Sequence, residues 1–209
     1  RYIRLRLNFG NGENVRMVAT LESARAMRVF LEKEIENSLS DSDRGGGVLL
    51  GVDTEWGDDG KGCAVVQVAT VNKVFLIDLM PAHQGEPDEI DGSTDGQELL
   101  ATIRWLMSEP RLMKIGLTFA HDWEQLERIV PGVSKESASV VDLQSYIVNT
   151  ALAETGRGDL VGLSTVVKKY FGAPLDKTEQ CSAWCHRPLS ANQIKYAALD
   201  ALILVDLAA

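Results

Sequence analysis

Two acidic side chains at the end of an apolar run have the types and the spacing that metal chemistry requires. Leu49, Leu50 and Val52 are typical of a buried strand, and Asp53 and Glu55 follow them in the segment LLGVDTEWGD. Residues i and i+2 of a strand point to the same face, so the two carboxylates should stand side by side. Adjacent carboxylates repel each other, and burying them without a partner costs free energy. The pair therefore predicts a positive charge nearby that compensates the two carboxylates.

Three more candidate residues lie far along the chain from this pair. Tyr196 and Asp200 are four residues apart in a predicted final helix, so they share one face of it. A packed tyrosine and a surface aspartate are the ordinary alternative for that pattern. Asp122 follows the apolar run MKIGLTFA at the start of a predicted helix, where a cap or first-turn acid is the ordinary alternative. In open α/β sheets, however, ligand sites gather at the carboxyl ends of strands.

A divalent metal site explains why carboxylates would be gathered in this way. Hard cations such as Mg²⁺ prefer oxygen ligands and neutralise clustered acids. Asp53 and Glu55 on one strand face, with Asp200 on a facing helix, would form a two-metal site, whose ions lie ~3.5–4 Å apart in known examples. Such a site holds the attacking and leaving oxygens of a phosphoryl transfer. The predicted cofactor is therefore two divalent ions, Mg²⁺ or Mn²⁺.

The elements that must position these residues alternate along the chain and predict an α/β fold with a mixed sheet flanked by helices. Thr20 is a predicted N-cap of a helix that continues to about Asn37, and Ser190 is a predicted cap of the final helix. Strands are predicted in YIRLRLNF, VRMVA, VLLGVDTEW, CAVVQVAT, VFLIDL and MKIGLTFA, and the other helices in DGQELLATIRWLMSE, DWEQLERIV and GLSTVVKKYFG. The segment SVVDLQSYIVNTAL is predicted to run from a strand end into a helix.

Length and composition indicate one globular domain over residues 1–209. The 209 residues are 45% hydrophobic and 24% charged, which suits a single core. The first residue is Arg1 rather than Met, so we expect a piece of a longer chain. No apolar run approaches the ~20 residues of a membrane span, and three cysteines are too few for a disulfide framework. An intracellular protein is expected, with the cytoplasm favoured over the nucleus.

The net charge of −9 argues against a nucleic-acid partner, whose binding proteins are usually basic. Much of the acid is local, however, because the segment GEPDEIDGSTDGQE holds six acids and no base. A metal-dependent site also brings its own positive charge. The bulk charge is therefore a weak argument against a nucleic-acid substrate.

Three motifs in order resemble those of the DEDD superfamily of 3′–5′ exonucleases. They are DTE after an apolar strand, KIGLTFAHDWEQL, and YAALD in a late helix. Tyr196, four residues before Asp200, resembles the tyrosine subgroup, which includes ribonuclease D and the Werner-type exonucleases. The connecting segment, with Leu175-Asp176-Lys177 and W-x-x-RPL, is most similar to Nibbler-like exonucleases, which trim small RNAs.

The resemblance implies a ribonuclease H-like exonuclease fold and a role for each motif residue. Asp53, Glu55 and Asp200 match ligands of the metal that activates water, and Asp53 would bridge both ions. Asp122 matches the acid that holds the second metal. Tyr196 matches the residue that orients the attacking water, and a phenol with a pKa of ~10 is a poor base at neutral pH. We therefore expect Tyr196 to position the water rather than deprotonate it.

Three further residues are expected to contact the substrate. Trp56 would pack near the terminal base, although a core tryptophan is an equal alternative. Lys177 and Arg187 are candidate phosphate contacts, with a solvated surface position as the alternative.

The implied reaction is hydrolysis of the terminal phosphodiester at a free 3′ end, which releases nucleoside 5′-monophosphates. The expected partner is a single-stranded nucleic acid, RNA in preference to DNA, presented by a small-RNA-carrying protein, with no membrane involved. A Werner-like DNA exonuclease is one alternative. A catalytically inactive nucleic-acid-binding module is another, although this chain retains all four acids and the tyrosine.

Overall fold

A mixed six-stranded sheet forms the centre of the part of the chain that the computed structural model describes, residues 14–40, 46–57, 62–83, 94–130, 132–133, 139–151 and 160–209. The strand order is β1-β4-β3-β2-β5-β6, and the central β2 pairs antiparallel with β3 and parallel with β5. The strands are β1 (Val15–Val18), β2 (Val48–Trp56), β3 (Cys63–Ala69), β4 (Val74–Asp78), β5 (Leu112–Gly116) and β6 (Val140–Asp142). The predicted strand YIRLRLNF lies outside the described residues.

Helices cover both faces of this sheet. They are α1 (Leu21–Ser40), α2 (Thr94–Ser108), α3 (Ala120–Ile129), α4 (Leu143–Ala151), α5 (Leu163–Phe171) and α6 (Ala191–Ala208). Apolar residues of α1, α2 and α3 pack on one face, where they meet Leu50 and Val52 of β2. Residues of α5 and α6 pack on the opposite face. The alternation of β2 therefore points Asp53 and Glu55 towards the α5 and α6 layer. None of the described helices has the length and apolar character needed to cross a membrane.

Both predicted helix caps are confirmed. The Thr20 hydroxyl accepts a hydrogen bond from the Ser23 N–H at 3.2 Å. Ser190 and Gln193 form a reciprocal capping box at the start of α6. Such caps satisfy backbone N–H groups that have no partner inside the helix, and they fix where α6 begins. That starting point determines which face of α6 Tyr196 and Asp200 occupy.

The strand predicted over MKIGLTFA is shorter than the apolar run suggested. β5 ends at Gly116, and Thr118 adopts a left-handed backbone conformation with φ of 59°. The Asp142 carboxylate accepts hydrogen bonds from the N–H groups of Thr118 and Phe119, at 2.9 and 3.1 Å, and so stabilises this turn. The predicted strand is therefore wrong over its last residues, because a carboxylate from β6 replaces the strand hydrogen bonds.

Helix α6 lies directly against the backbone of β2. A Cβ atom added at Gly51 would stand 1.9 Å from the backbone oxygen of Ala201. Ala197 and Ala198, on the same helix, are fully buried. Small residues on both elements thus permit a backbone-to-backbone contact. Because Gly51 shares a strand face with Asp53, this contact brings α6 over the acidic pair.

Gly51→Ala should strongly destabilise the fold, because the obstructing atom is helix backbone that cannot rotate away. We expect a loss of about 3 kcal/mol, the upper part of the usual range for overpacked cores. Urea unfolding measures this loss. Gly47→Ala is the matched control, since its added Cβ would make an ordinary contact 3.5 Å from the Arg111 oxygen. Equal stability of the two variants would show that α6 does not depend on Gly51.

Candidate active site

Five of the predicted site residues line one cavity between β2 and α6. Asp53 and Glu55 reach it from the strand, Tyr196 and Asp200 from the helix, and Lys177 from the loop after α5. Glu55, Tyr196 and Asp200 are buried, with at most 8% of each residue exposed. Asp53 and Asp200, which are 147 positions apart in the sequence, are thus brought onto one surface, as the two periodicities predicted.

The carboxylates of this cavity are electrostatically unfavourable to one another. Burial, followed by the charges of Asp200 and Asp122, raises the pKa of Asp53 well above its usual range. Burial and the neighbouring Asp53 raise the pKa of Glu55 to about 10. Burial raises the pKa of Asp200 to about 6. The cavity therefore disfavours the three ionised carboxylates unless a cation accompanies them.

Tyr196 is held as a neutral phenol. Burial and the charge of Asp200 raise its pKa above the ordinary value, and its hydroxyl is hydrogen-bonded to the Asp200 carboxylate. Its ring packs against Trp184, with the ring centroids 6.0 Å apart. A phenol in this setting holds its proton at neutral pH. It can orient a neighbouring group through a hydrogen bond but is a poor base.

Lys177 brings a positive charge to the same cavity. It is an exposed residue of the loop after α5, and it lies on the cavity lining. Its charge lowers the pKa of Asp53, of Glu55 and of Asp200. The ammonium group is therefore close enough to act on all three acids. This location is the one that a phosphate contact would need.

Asp122 lies beside this cavity and is oriented by two side chains of β2. It is in the first turn of α3, as predicted. The Thr54 hydroxyl donates a hydrogen bond to its Oδ1 atom, and the Trp56 indole N–H donates to the same atom at 3.3 Å. The charge of Asp122 raises the pKa of Asp53 and of Glu55, so Asp122 lies near the acidic pair at this end of β2.

The carboxylates of the cavity do not converge on one metal position among the described residues. Within the described ranges, no three side chains of histidine, cysteine, aspartate or glutamate converge closely enough to hold a metal ion.

Trp56 is half-buried and its indole N–H is engaged by Asp122. A register shift in the pairing of β2 with β3 falls between Glu55 and Trp56. Such bulges commonly redirect a side chain next to an active site. Its ring lies 6.3 Å from that of His121 and is not part of the cavity lining. In this arrangement Trp56 orients an acid of the site, and base stacking by this ring stays a prediction.

Arg187 does not reach the cavity, which corrects the predicted phosphate contact. Its guanidinium forms a bidentate ion pair with Asp78, with both N–O distances 2.6 Å. Its remaining N–H groups donate to the backbone oxygens of Trp184, His186 and Ala64. A guanidinium has five N–H donors, and all five are used here. Arg187 therefore anchors the loop before α6 to the sheet.

Among the residues that the sequence did not single out, the polar residues Gln180 and Thr118 also line the cavity. Gln180 follows Lys177 by three residues in the same loop. Thr118 belongs to the turn after β5, where its left-handed conformation is unusual for a β-branched residue. Unusual backbone of this kind tends to occur at functional sites. Neither residue type signals such a location in advance.

Comparison with known proteins identifies the family. A family model described as 3′-5′ exonuclease matches residues 28–209. The chain belongs to this 3′–5′ exonuclease family. The chain is 32% identical over 172 residues to the human exonuclease mut-7 homolog, a match that covers 76% of this chain and 19% of that protein. It is 28% identical over 217 residues to Caenorhabditis elegans exonuclease mut-7, covering 94% of this chain and 23% of that protein. The chain thus spans about a fifth of the length of these relatives.

Solved structures agree with this assignment. The Aedes aegypti Nibbler EXO domain superposes with a TM-score of 0.67 at 25% identity, over 97% of this exonuclease and 88% of that chain. Escherichia coli RNase D superposes with a TM-score of 0.65 at 21% identity, over 93% and 43%, which shows the shared fold alone. The predicted ribonuclease H-like exonuclease fold and the predicted superfamily are both confirmed.

The side chains of the cavity fit the divalent metal ions that exonucleases of this family generally use. The donors are carboxylate oxygens, which hard cations prefer. The raised pKa values of Asp53, Glu55 and Asp200 show that positive charge is deficient there, and Lys177 alone supplies it among the cavity residues described. A divalent cation would correct that deficit.

Asp200→Asn should flatten the pH dependence of stability measured in EDTA. With a pKa of about 6 for Asp200 when folded and ~3.9 when unfolded, the folded state binds more protons between these values. This group therefore stabilises the fold most below about pH 4, and roughly 2–3 kcal/mol is lost as pH rises through 6. Urea unfolding at about pH 4.5 and about pH 7 measures the change. Equal changes in wild type and variant would contradict the shifted pKa.

Proposed function

We propose that this exonuclease hydrolyses the terminal phosphodiester of single-stranded RNA at a free 3′ end and releases nucleoside 5′-monophosphates. The observation that carries the proposal is the shared cavity of Asp53, Glu55, Tyr196 and Asp200, in which three carboxylates lack compensating charge. A substrate phosphate and metal ions together would balance it. The similarity to Zymomonas mobilis ribonuclease D, 29% identical over 126 residues, supports RNA as the substrate.

Two divalent ions, Mg²⁺ or Mn²⁺, held by Asp53, Glu55, Asp200 and Asp122, would stabilise the charge that develops on the phosphate and favour deprotonation of the attacking water. In this hydrolysis the water oxygen bonds to phosphorus, and the bond from phosphorus to the 3′ oxygen of the preceding nucleotide breaks. The two elements that carry Asp53 and Asp200 are fixed by the Gly51 contact. They therefore present ligands without rearrangement of the backbone.

Residues around the acids would orient the reacting groups. The Tyr196 hydroxyl, kept protonated by its surroundings, positions the attacking water. The Lys177 ammonium neutralises a phosphate oxygen, since it lies on the cavity and already acts on its acids. Thr54 and Trp56 set the direction of the Asp122 carboxylate.

We further propose that the natural substrates are small RNAs carried by a partner protein, in the cytoplasm rather than the nucleus. The domain has a net charge of −9, which opposes capture of free RNA from solution. A partner that presents the 3′ end would overcome that repulsion. Digestion of protein-bound and free RNA of the same sequence would test this point. Faster trimming of free RNA would contradict it.

Asp53→Asn should abolish turnover and weaken Mn²⁺ binding while the fold remains intact, because it removes the acid proposed to contact both ions. Calorimetric titration of Mn²⁺ and digestion of labelled RNA measure the two effects. Glu124→Gln is the matched control, since Glu124 is an exposed acid of α3 outside the cavity lining. Unchanged Mn²⁺ affinity in Asp53→Asn would show that the metal assignment is wrong.

The cavity should act only on a free 3′ end. A 3′-phosphate on labelled single-stranded RNA should slow digestion strongly, whereas a 5′ block should have little effect. Product ladders from RNA and matched DNA, with Mg²⁺, Mn²⁺ or EDTA, provide the measurement. Degradation of a circular RNA at the same rate would identify an endonuclease, and faster digestion of DNA would favour the Werner-like alternative.

Tyr196→Phe should give a slow but measurable enzyme. The variant keeps the ring that packs on Trp184 and loses one hydroxyl, so stability and metal affinity should change little. Groups that take part in proton transfer contribute ~10²–10⁴-fold, and a group that only orients water should cost about 10²-fold or less. Single-turnover cleavage at saturating Mn²⁺ gives the rate. A wild-type rate would show that Tyr196 serves only in packing. A loss of metal affinity would show that Tyr196 holds a metal-binding carboxylate in place.

A further inference from the structure

The side chain of one glutamine in the middle of the sheet is buried without a hydrogen-bond partner. Gln67 of β3 has none of its surface exposed, and neither its Nε2 nor its Oε1 atom has a partner among the described residues. A buried amide left unpaired costs on the order of 1–3 kcal/mol, and an apolar side chain of similar size would avoid that cost. Buried polar groups are nearly always paired, so this one needs a specific explanation.

The strand register places Gln67 beside the acids of the cavity. Asp53 of β2 is directly opposite Gln67 in the antiparallel pair. Directly opposed residues share a sheet face, and their Cβ atoms lie ~4.5–5.5 Å apart. On the other side Gln67 is opposite Leu76 of β4, which has no polar side chain to offer. The Gln67 amide therefore lies next to the Asp53 side chain, beneath helix α6.

Other acids near Gln67 are less available than Asp53. Asp78 lies diagonally across on β4, but both of its carboxylate oxygens accept hydrogen bonds from Arg187. Glu55 is the diagonal neighbour on β2, one step further away than Asp53. The Asp53 carboxylate accepts one hydrogen bond, from the Thr54 N–H at 3.0 Å, and carboxylate oxygens have about four lone-pair sites. Acceptor capacity on Asp53 therefore remains.

We propose that Gln67 is a positioning residue for Asp53, and that its Nε2 atom donates a hydrogen bond to the Asp53 carboxylate when that carboxylate is ionised against a divalent cation. This inference rests on the proposed metal site. A hydrogen bond from an amide to a carboxylate is about twice as strong as one between neutral groups, and it holds the carboxylate in one orientation.

The proposal explains why an amide occupies a position that suits an apolar residue. Gln67 is directly opposite Asp53, so its amide is within reach of the carboxylate once a bound cation orients that carboxylate. Outer partners of this kind typically change metal affinity by ~10–100-fold when they are removed.

Gln67→Met tests this role, because methionine has a similar length and shape but cannot donate the hydrogen bond. We expect the dissociation constant for Mn²⁺, from calorimetric titration, to rise by ~10-fold or more. The melting temperature in EDTA should stay the same or rise, since an unpaired buried amide is removed. This opposite movement of metal affinity and stability would not result from a packing defect. Wild-type Mn²⁺ affinity in Gln67→Met would overturn the proposal.

Val68→Ala is the matched control. Val68 is the next residue of the same strand and is fully buried, but it packs on the opposite face of the sheet. Its truncation should lower the melting temperature and leave Mn²⁺ affinity unchanged. Asp53→Asn distinguishes failure of the proposed metal site from failure of the proposed role of Gln67. If Mn²⁺ affinity is unchanged in Asp53→Asn, the proposed metal site fails, whereas lost affinity there with wild-type affinity in Gln67→Met contradicts only the role of Gln67.

A measurement on the wild-type protein keeps the proposal testable if Gln67→Met does not fold. The side-chain NH₂ protons of Gln67 can be followed by NMR in ¹⁵N-labelled protein as Mg²⁺ is added. We expect one of the two protons to move downfield and to exchange more slowly with solvent as the hydrogen bond forms. Unchanged side-chain signals at saturating Mg²⁺ would overturn the proposal.

Discussion

The contact between the backbone of α6 and the backbone of β2 determines whether this molecule has a site at all. Gly51 leaves no room for a Cβ atom beneath Ala201, and small alanines on the same helix keep the two elements close. Gly51, Asp53 and Glu55 alternate along one strand face. The helix that packs on Gly51 therefore must also cover the two acids, and it brings Asp200 and Tyr196 with it. A larger residue at position 51 would separate the two halves of the cavity.

That close contact has an electrostatic consequence. Three carboxylates are enclosed with one cavity-lining lysine among the described residues, and the pKa of each carboxylate is raised. The arrangement lowers the stability of the metal-free fold at neutral pH and favours binding of a divalent cation. Active sites often accept such a loss of stability in return for function. The unpaired amide of Gln67 beside Asp53 is a further cost of the same kind.

Local patterns in the sequence were sufficient to predict much of this arrangement. The alternation of β2 placed Asp53 and Glu55 on one face, and the helical spacing of α6 placed Tyr196 with Asp200. Caps at Thr20 and Ser190 were also predictable, because a cap depends on residues three positions apart. These features depend on short-range geometry that the sequence displays directly.

Features that depend on distant contacts were not predictable in the same way. The apolar run of β5 gave no sign that the Asp142 carboxylate would end the strand. Arg187 was predicted to contact a phosphate because no acidic partner lies near it in the sequence. Its partner, Asp78, is 109 residues away. The role of Trp56 in orienting Asp122 likewise depends on how β2 meets α3. Alternation predicts the face of a side chain but not its partner.

The central claim is that α6 and β2 together present carboxylates to divalent cations. Crystals of the protein grown with Mn²⁺ would test it through anomalous diffraction at the manganese edge. The account predicts anomalous peaks beside the carboxylates of Asp53, Glu55 and Asp200, and their loss in crystals of Asp53→Asn. Manganese bound only elsewhere on the protein, or peaks at these carboxylates that persist in Asp53→Asn, would contradict it.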